Sequence, residues 1–121
     1  MSYIISGRVI KGDGYGKEIG FPTINIDRKN FLNLKQRPVF GVYAGQVKLS
    51  GKIYKAGIII GPLDKRRLPK VEAHLVGYKG NAHGKKAIFE IKKFLRKFEK
   101  FKTDKELIAQ IKKDLKKLVP Y

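Results

Sequence analysis

The sequence contains no cysteine. This absence excludes disulfide bonds, thiolate zinc sites and thiol nucleophiles, and with them a secreted scaffold held together by disulfides. Long apolar runs are also missing, since no stretch approaches the roughly 18 residues of a membrane span. The first seven residues are too short and too polar for a signal peptide. We therefore expect a cytoplasmic protein with no membrane partner.

Acidic residues are scarce: 10 Asp and Glu stand against 28 Lys and Arg, which gives a formal net charge of +18. Such an excess can attract nucleic acid or phosphorylated ligands. The basic residues are spread along the chain, whereas a nucleic-acid-binding module more often concentrates them on one element among aromatic residues. We therefore do not expect nucleic acid as the main partner, but a non-enzymatic basic module that binds it stays open as an alternative.

The length of 121 residues and the 42% hydrophobic content are typical of one globular domain over residues 1–121 with one core. Short β-type runs separated by turn residues predict six strands. Alternation along 41–49 followed by Ser50-Gly51 indicates a hairpin, and hence antiparallel pairing. The predicted strands cover residues 3–9, 23–26, 41–49, 52–60, 71–75 and 86–91.

The last 20 or so residues change to a helical period. Thr103 and Glu106 form a capping box that predicts the start of a helix, and Pro120 marks its end. Leucine and isoleucine recur on one face and leave lysines on the other. We expect a mainly β fold: a six-stranded antiparallel Greek-key β-barrel, about 3–95, with a C-terminal helix, about 104–119, packed on it.

A glycine-rich loop follows the first strand. Backbone N–H groups in such a loop can approach an anion without obstruction by side chains, although a plain turn between two strands has the same pattern. It lacks the Gly-Lys-Ser/Thr of a Walker A loop, and we expect no helix after it, as a Rossmann loop would need. Four glycines lie within nine positions: Gly12, Gly14, Gly16 and Gly20.

The extended segment after the loop, Phe-Pro-Thr-Ile-Asn-Ile, places Thr23 and Asn25 on one side. A hydroxyl and an amide beside a phosphate-binding loop suit Mg²⁺, which prefers oxygen ligands and completes its shell with water and substrate phosphates. A solvated strand end would look the same. The residues do not distinguish magnesium from zinc or manganese.

Gly-x-Gly-x-Gly followed by Gly-Phe-Pro-Thr-x-Asn resembles the amino-terminal signature of riboflavin kinases, including the kinase domain of bacterial bifunctional FAD synthetases. The resemblance implies that Thr23 and Asn25 bind the metal and the nucleotide phosphates, under a flap formed by the glycine loop. The nucleotide-binding set that it implies is Gly12, Gly14, Lys17, Pro22, Thr23, Asn25, Leu75 and His83.

Glu72 is the only acidic residue between Asp64 and Glu90. By itself it could be a surface carboxylate that offsets nearby lysines. Val-Glu-x-His-Leu is similar to the riboflavin kinase segment whose glutamate is the catalytic base, so the resemblance implies that role for Glu72. We interpret His74, two residues further on, as structural, and His83 as a ring near the nucleotide.

The segment 94–101 combines aromatic rings with an arginine and a glutamate. It could supply core phenylalanines, or a flat apolar contact and polar edge for an isoalloxazine ring. The family pattern of Leu-Arg and then Phe implies that Arg96, Glu99 and Phe101 border a flavin site. The chain departs from the family pattern over residues 61–70, where a loop of the kind that can act as a lid is expected.

These observations predict a monomeric riboflavin kinase that phosphorylates the 5′-hydroxyl of riboflavin to FMN. The ligands would be riboflavin/FMN and ATP/ADP. The choice of ATP as phosphate donor rests on family analogy, because the glycine loop would contact groups that CTP and other nucleoside triphosphates share. FAD synthesis would then need a separate protein. The alternatives are the nucleic-acid-binding barrel and a catalytically inactive flavin carrier.

Overall fold

A computed structural model of the chain describes residues 3–12 and 14–118. Six strands and three helices lie within these ranges, and α1 and α2 are single turns. In chain order the elements are β1 (Tyr3–Ile10), α1 (Tyr15–Glu18), β2 (Ile24–Ile26), α2 (Lys29–Leu32), β3 (Gly41–Leu49), β4 (Lys52–Leu63), β5 (Pro69–Leu75), β6 (Lys86–Arg96) and α3 (Asp104–Lys116).

The six strands form a closed barrel in the order β1-β2-β5-β4-β3-β6, and each neighbouring pair is antiparallel. Strands β3 to β6 lie in the spatial order β6-β3-β4-β5, which is a Greek key. Closure pairs every strand on both sides and so removes exposed sheet edges. The predicted fold class is confirmed.

Side chains alternate between the barrel interior and its outer surface. On β5 every second residue from Pro69 to Leu75 is buried, while Lys70, Glu72 and His74 between them are half-buried. Burial of each large apolar side chain contributes about 1.5–3 kcal/mol to stability, so the core fixes which face of each strand points outward. The largest buried side chains of the barrel core include Phe89, Ile5, Ile26, Leu49, Ile58, Ile60 and Ile91.

The β3–β4 hairpin follows the predicted pattern. Ser50 and Gly51 both have positive φ, 52° and 78°, as a two-residue turn of the I′ type requires. The register then pairs Leu49 with Lys52 and continues without a break to Gly41 and Ile60. This turn chemistry explains why the hairpin could be predicted from local sequence.

Tyr43 is a buried polar residue in the barrel core, with 4% of its surface exposed. Its hydroxyl donates a hydrogen bond to the backbone oxygen of Val39 at 2.6 Å. Burial, with a smaller contribution from Tyr3, raises the pKa of Tyr43 above its ordinary value. The side chain therefore stays neutral and keeps donating to the segment before β3.

Helix α3 begins at the predicted cap. The Thr103 hydroxyl accepts from the Glu106 backbone N–H at 3.2 Å, and the Glu106 carboxylate accepts from the Lys102 N–H at 3.3 Å. The reciprocal arm of the capping box thus reaches one residue further back than usual. Pro120, expected to mark the helix end, lies outside the described residues.

Helix α3 packs on the outer wall of the barrel, as predicted. A Cβ atom added to Gly57 on β4 would lie 3.9 Å from Leu115 Cδ2, so the helix lies over this strand. Leu118, just after the helix, is 2% exposed. Within residues 3–12 and 14–118, no helix is long and apolar enough to cross a membrane.

The two one-turn helices were not predicted, because four residues are too few to show a helical period. The expectation of no helix at the glycine loop is therefore wrong for one turn, α1. Gly20, two residues after α1, has a φ of 91°, which suits the position that follows a helix end. Four strands also run longer than predicted: β1 continues to Ile10, β4 continues to Leu63, β5 begins at Pro69, and β6 continues to Arg96 past irregularities in its pairing with β3.

Candidate active site

A cavity of about 360 Å³, here called the helix-side cavity, lies between the outer wall of the barrel and helix α3. Residues from the glycine loop, from β4 and β5, from the segment after β6 and from α3 line it together. Five of the predicted site residues are in its lining: Thr23, Glu72, Arg96, Glu99 and Phe101. Segments far apart in sequence therefore meet here.

Glu72 lies at the centre of the outward row of β5. It is half-buried, faces the same side as Lys70 and His74, and pairs across the sheet with Asn25 on β2 and Ile59 on β4. Buried Val71 and Ala73 on either side hold this orientation, because a register shift of one residue would turn both into solvent. The carboxylate is thus held on a rigid strand rather than on a loop.

His74 ties the segment before β2 to this strand. Its Nδ1 lies 2.7 Å from the backbone oxygen of Pro22, and its ring packs edge-to-face on Phe21 at 5.6 Å. These contacts fix the backbone that leads directly to Thr23. They support the structural interpretation of His74.

The glycine loop folds back onto the same segment. The Phe21 N–H donates to the Gly16 oxygen at 2.8 Å, and a Cβ atom at Gly16 would lie only 2.5 Å from the Phe21 oxygen. Any side chain at this position would therefore separate the loop from the strand. Gly14 and Lys17 are exposed on the loop.

A second cavity of about 350 Å³, here called the loop-side cavity, lies beside the first. Its lining includes Gly12, the amide side chain of Asn25 and four basic residues. Lys70 is the one described residue that lines both cavities. The loop-side lining is Ile10, Lys11, Gly12, Asn25, Ile26, Arg28, Asp64, Lys65, Lys70 and Val71.

The segment that departs from the family pattern is a tight turn between β4 and β5. Asp64 Oδ1 accepts the backbone N–H groups of Arg66 at 2.8 Å and Leu68 at 3.1 Å, and its other oxygen pairs with Arg28. Arg28 follows β2, so this ion pair joins the turn to the strand that carries Asn25. One wall of the loop-side cavity is thereby held in place.

A buried ion pair, Arg96 with Asp114, lies in the lining of the helix-side cavity. Arg96 Nη2 lies 2.9 Å from Asp114 Oδ2, and its Nε lies 3.1 Å from both carboxylate oxygens. The Asp114 side chain is 8% exposed and also accepts from Gln110 Nε2 at 3.0 Å. The Arg96 guanidinium lies over the Phe101 ring at 5.8 Å. Arg96 is thus held in one orientation between the barrel and α3.

The remaining predicted residues lie elsewhere. Leu75 packs in the barrel core. His83 is exposed in a turn next to the end of β1, since the adjacent Gly84 N–H donates to the Val9 oxygen at 2.9 Å. Pro22 contributes the backbone oxygen that His74 contacts. None of these three side chains is in the described lining of either cavity, and neither are Gly14 and Lys17.

The lining residues that sequence reasoning missed include Lys70, Phe98 and Asp114. A signal for Asp114 was present, because it lies seven residues after Leu107 and three after Ile111, on the apolar face of the helix. A charge on such a face indicates a buried partner. No local sequence signal pointed to Lys70, because its position in the lining of both cavities depends on how distant segments pack together.

The profile of the Flavokinase family, described as riboflavin kinase, matches residues 1–120. The chain belongs to the riboflavin kinase family. It is 35% identical over 124 residues to a bifunctional riboflavin kinase/FMN adenylyltransferase of Bacillus subtilis. That match covers 98% of this chain and 38% of the relative, so the chain spans less than half the length of this family member.

Two solved structures share the fold. A Streptococcus pneumoniae chain described as a macrolide-efflux protein has a TM-score of 0.86 at 22% identity, covering 98% of this chain and 38% of that one. A riboflavin kinase from Trypanosoma brucei has a TM-score of 0.71 at 20% identity, covering 97% of this chain and 74% of that one. At these identities the likeness shows the barrel architecture alone.

Riboflavin kinases generally depend on a divalent metal. Thr23 lines the helix-side cavity and Asn25 lines the loop-side cavity, and a hydroxyl and an amide oxygen are ligands of the kind that a hard cation takes. A Cβ atom at Gly12 would lie 2.1 Å from Asn25 Nδ2 and 3.1 Å from its Oδ1, so the glycine leaves the space that this amide occupies. The described residues contain no group of three or more His, Asp or Glu that could hold a metal alone. Such a site suits an ion that takes most of its ligands from water and substrate phosphates.

Proposed function

We propose that this chain is a riboflavin kinase that transfers the γ-phosphoryl group of a nucleoside triphosphate to the 5′-hydroxyl of riboflavin, giving FMN. The observation that carries this proposal is the meeting of Glu72, Thr23 and Arg96 in one cavity, from three distant parts of the chain. Family membership independently supports it.

Glu72 is the catalytic base in this scheme. Its carboxylate accepts the proton of the ribityl hydroxyl as that oxygen attacks the γ-phosphorus in line with the leaving diphosphate. A half-buried position on a strand suits this role, because the carboxylate is accessible from the cavity but held in orientation by its neighbours. No phosphoenzyme forms, because the two substrates meet directly.

Thr23 and Asn25 hold the phosphate end of the nucleotide and a divalent cation, with Mg²⁺ as the ion that best suits their oxygen atoms. The cation, when bound, supplies charge neutralisation on the phosphates. The glycine loop covers the nucleotide through Gly12, Gly14 and Lys17, with Pro22, Leu75 and His83 further along. Because the Leu75 side chain is in the core, its contribution would come from the backbone.

The isoalloxazine ring lies in the part of the helix-side cavity that Arg96, Glu99 and Phe101 line. Phe101 offers a flat apolar surface, and Arg96 and Glu99 offer a donor and an acceptor for the polar edge of the ring. Water is excluded on one side by Ile111 and Leu115 of α3. Riboflavin and nucleotide then meet at Glu72 from opposite directions.

Gly12→Ala tests the place of Asn25. The new methyl group overlaps the Asn25 amide, which must move. We expect turnover to fall about tenfold, since small displacements of positioning groups are costly, while thermal stability changes little. The double variant Gly12→Ala/Asn25→Ala should be no slower than Asn25→Ala alone, because both changes act through one amide. Additive losses in the double variant would contradict this explanation.

The activity itself is tested by incubating the purified chain with riboflavin, magnesium and, separately, ATP, CTP, GTP or UTP. Chromatography with fluorescence detection resolves riboflavin from FMN. FMN formation supports the proposal and identifies the donor. Flavin binding without FMN under any donor would favour the inactive carrier. No flavin binding, together with steeply salt-dependent binding of RNA or DNA, would favour the nucleic-acid-binding barrel.

A further inference from the structure

Lys70 lies where the two cavities meet. It is the single described residue in the lining of both, and it comes from the segment in which this chain departs from the family pattern. Its side chain is half-buried on the outward face of β5. One long cationic side chain therefore borders both the loop-side cavity, where we place the nucleotide phosphates near Gly12 and Asn25, and the helix-side cavity, where we place the acceptor near Glu72.

The strand register places Lys70 beside the proposed chemistry. Lys70 and Glu72 are two residues apart on the same face, so their Cα atoms are about 7 Å apart along the strand. Asn25 is paired with Glu72 across the sheet, which makes Lys70 its diagonal neighbour at a similar distance. The ammonium group of Lys70 and the carboxylate of Glu72 can thus approach the same small volume from adjacent positions.

The other cations of the loop-side cavity are less suited to this place. Arg28 lines the loop-side cavity but is not in the described lining of the helix-side cavity. Lys11 and Lys65 line the loop-side cavity but are not in the described lining of the helix-side cavity. Of the four cations Lys11, Arg28, Lys65 and Lys70, Lys70 alone is in the described lining of the helix-side cavity, and it lies on a strand.

We propose that Lys70 is a further catalytic residue, whose ammonium group binds the oxygens of the phosphoryl group during its transfer. This inference rests on the proposed function. The bond from the γ-phosphorus to the leaving diphosphate breaks as the bond to the ribityl oxygen forms, and the hydroxyl proton passes to Glu72. The ammonium group of Lys70 stabilises charge that spreads over the three phosphoryl oxygens.

Lys70→Met removes the charge and keeps the length of the side chain. We expect kcat to fall on the order of 10²-fold, as when one preorganised donor to a transition state is lost. The KM values for riboflavin and nucleotide should change by less than about threefold, because the interaction strengthens only in the transition state. Lys70→Arg should recover at least about tenfold of the loss. Lys48→Met, an exposed lysine on β3 in neither described lining, is the matched control.

A rise in KM for the nucleotide with kcat unchanged would overturn the catalytic role and leave Lys70 as a binding residue. Unchanged kinetics would overturn the inference entirely. Flavin binding and thermal unfolding check that the variants fold, and Lys70→Gln replaces Lys70→Met if the latter does not. If the unmodified chain forms no FMN with any donor, the proposed function fails first, and the role of Lys70 fails with it.

Discussion

Glu72→Gln should lower kcat on the order of 10³-fold while the affinity for riboflavin stays within about twofold. A glutamine has the shape of glutamate but cannot accept the hydroxyl proton, and general base catalysis typically contributes about 10²- to 10⁴-fold. Single-turnover formation of FMN and quenching of riboflavin fluorescence on binding measure the two quantities separately.

Glu90→Gln is the matched control for Glu72→Gln. Glu90 also points outward from a strand, but it lies on β6 in neither described cavity lining and pairs with Lys92 at 3.3 Å. Its turnover should match that of the unmodified chain. Retention of more than about a tenth of the activity in Glu72→Gln would remove Glu72 from the role of base, and loss of folding would make its role structural.

Asp114→Ala should destabilise the fold by about 3 kcal/mol and lower the melting temperature by roughly 10–15 °C. The change leaves the Arg96 guanidinium largely buried, with 16% of its side chain exposed, and without the carboxylate that now accepts from two of its nitrogens. Removal of one member of a buried ion pair is costly because the remaining charge is uncompensated. Thermal unfolding measures the effect directly.

The double variant Arg96→Met/Asp114→Leu separates stability from binding. Two apolar side chains of similar size should restore most of the lost stability, since apolar replacements of buried ion pairs are often neutral or better. Riboflavin affinity should nevertheless be lower than that of the unmodified chain, because the proposed contact of Arg96 with the flavin is absent. Lys112→Ala, at an exposed position on the same helix, should change stability by less than about 0.5 kcal/mol. Recovery of flavin affinity in the double variant would contradict the binding role of Arg96.

The turn between β4 and β5 shows how a local departure from a family pattern can be structural. Residues 61–70 depart from the riboflavin kinase family pattern, and the sequence predicted a loop there of the kind that can act as a lid. In the structure Asp64 organises this segment through two backbone N–H groups and Arg28. Two of its basic residues, Lys65 and Lys70, line the loop-side cavity.

Local sequence was sufficient for the elements whose causes are local. The six strands followed from short β-type runs between turn residues, the β3–β4 hairpin followed from Ser50-Gly51, and the start of α3 followed from Thr103 and Glu106. The sequence motifs indicated the riboflavin kinase family and pointed to Glu72, Thr23 and Arg96, which lie in the lining of one cavity. Each of these signals involves residues within a few positions of one another.

Tertiary structure alone decided the rest, because it depends on contacts between distant segments. Closure of the barrel brings Asn25 opposite Glu72, and the packing of α3 brings Asp114 to Arg96. The position of Lys70 between two cavities arises from the register of β5 with its neighbours. The sequence by itself determined the strands, the helix and the chemical groups available, whereas the long-range pairing of strands determined which of those groups can act together.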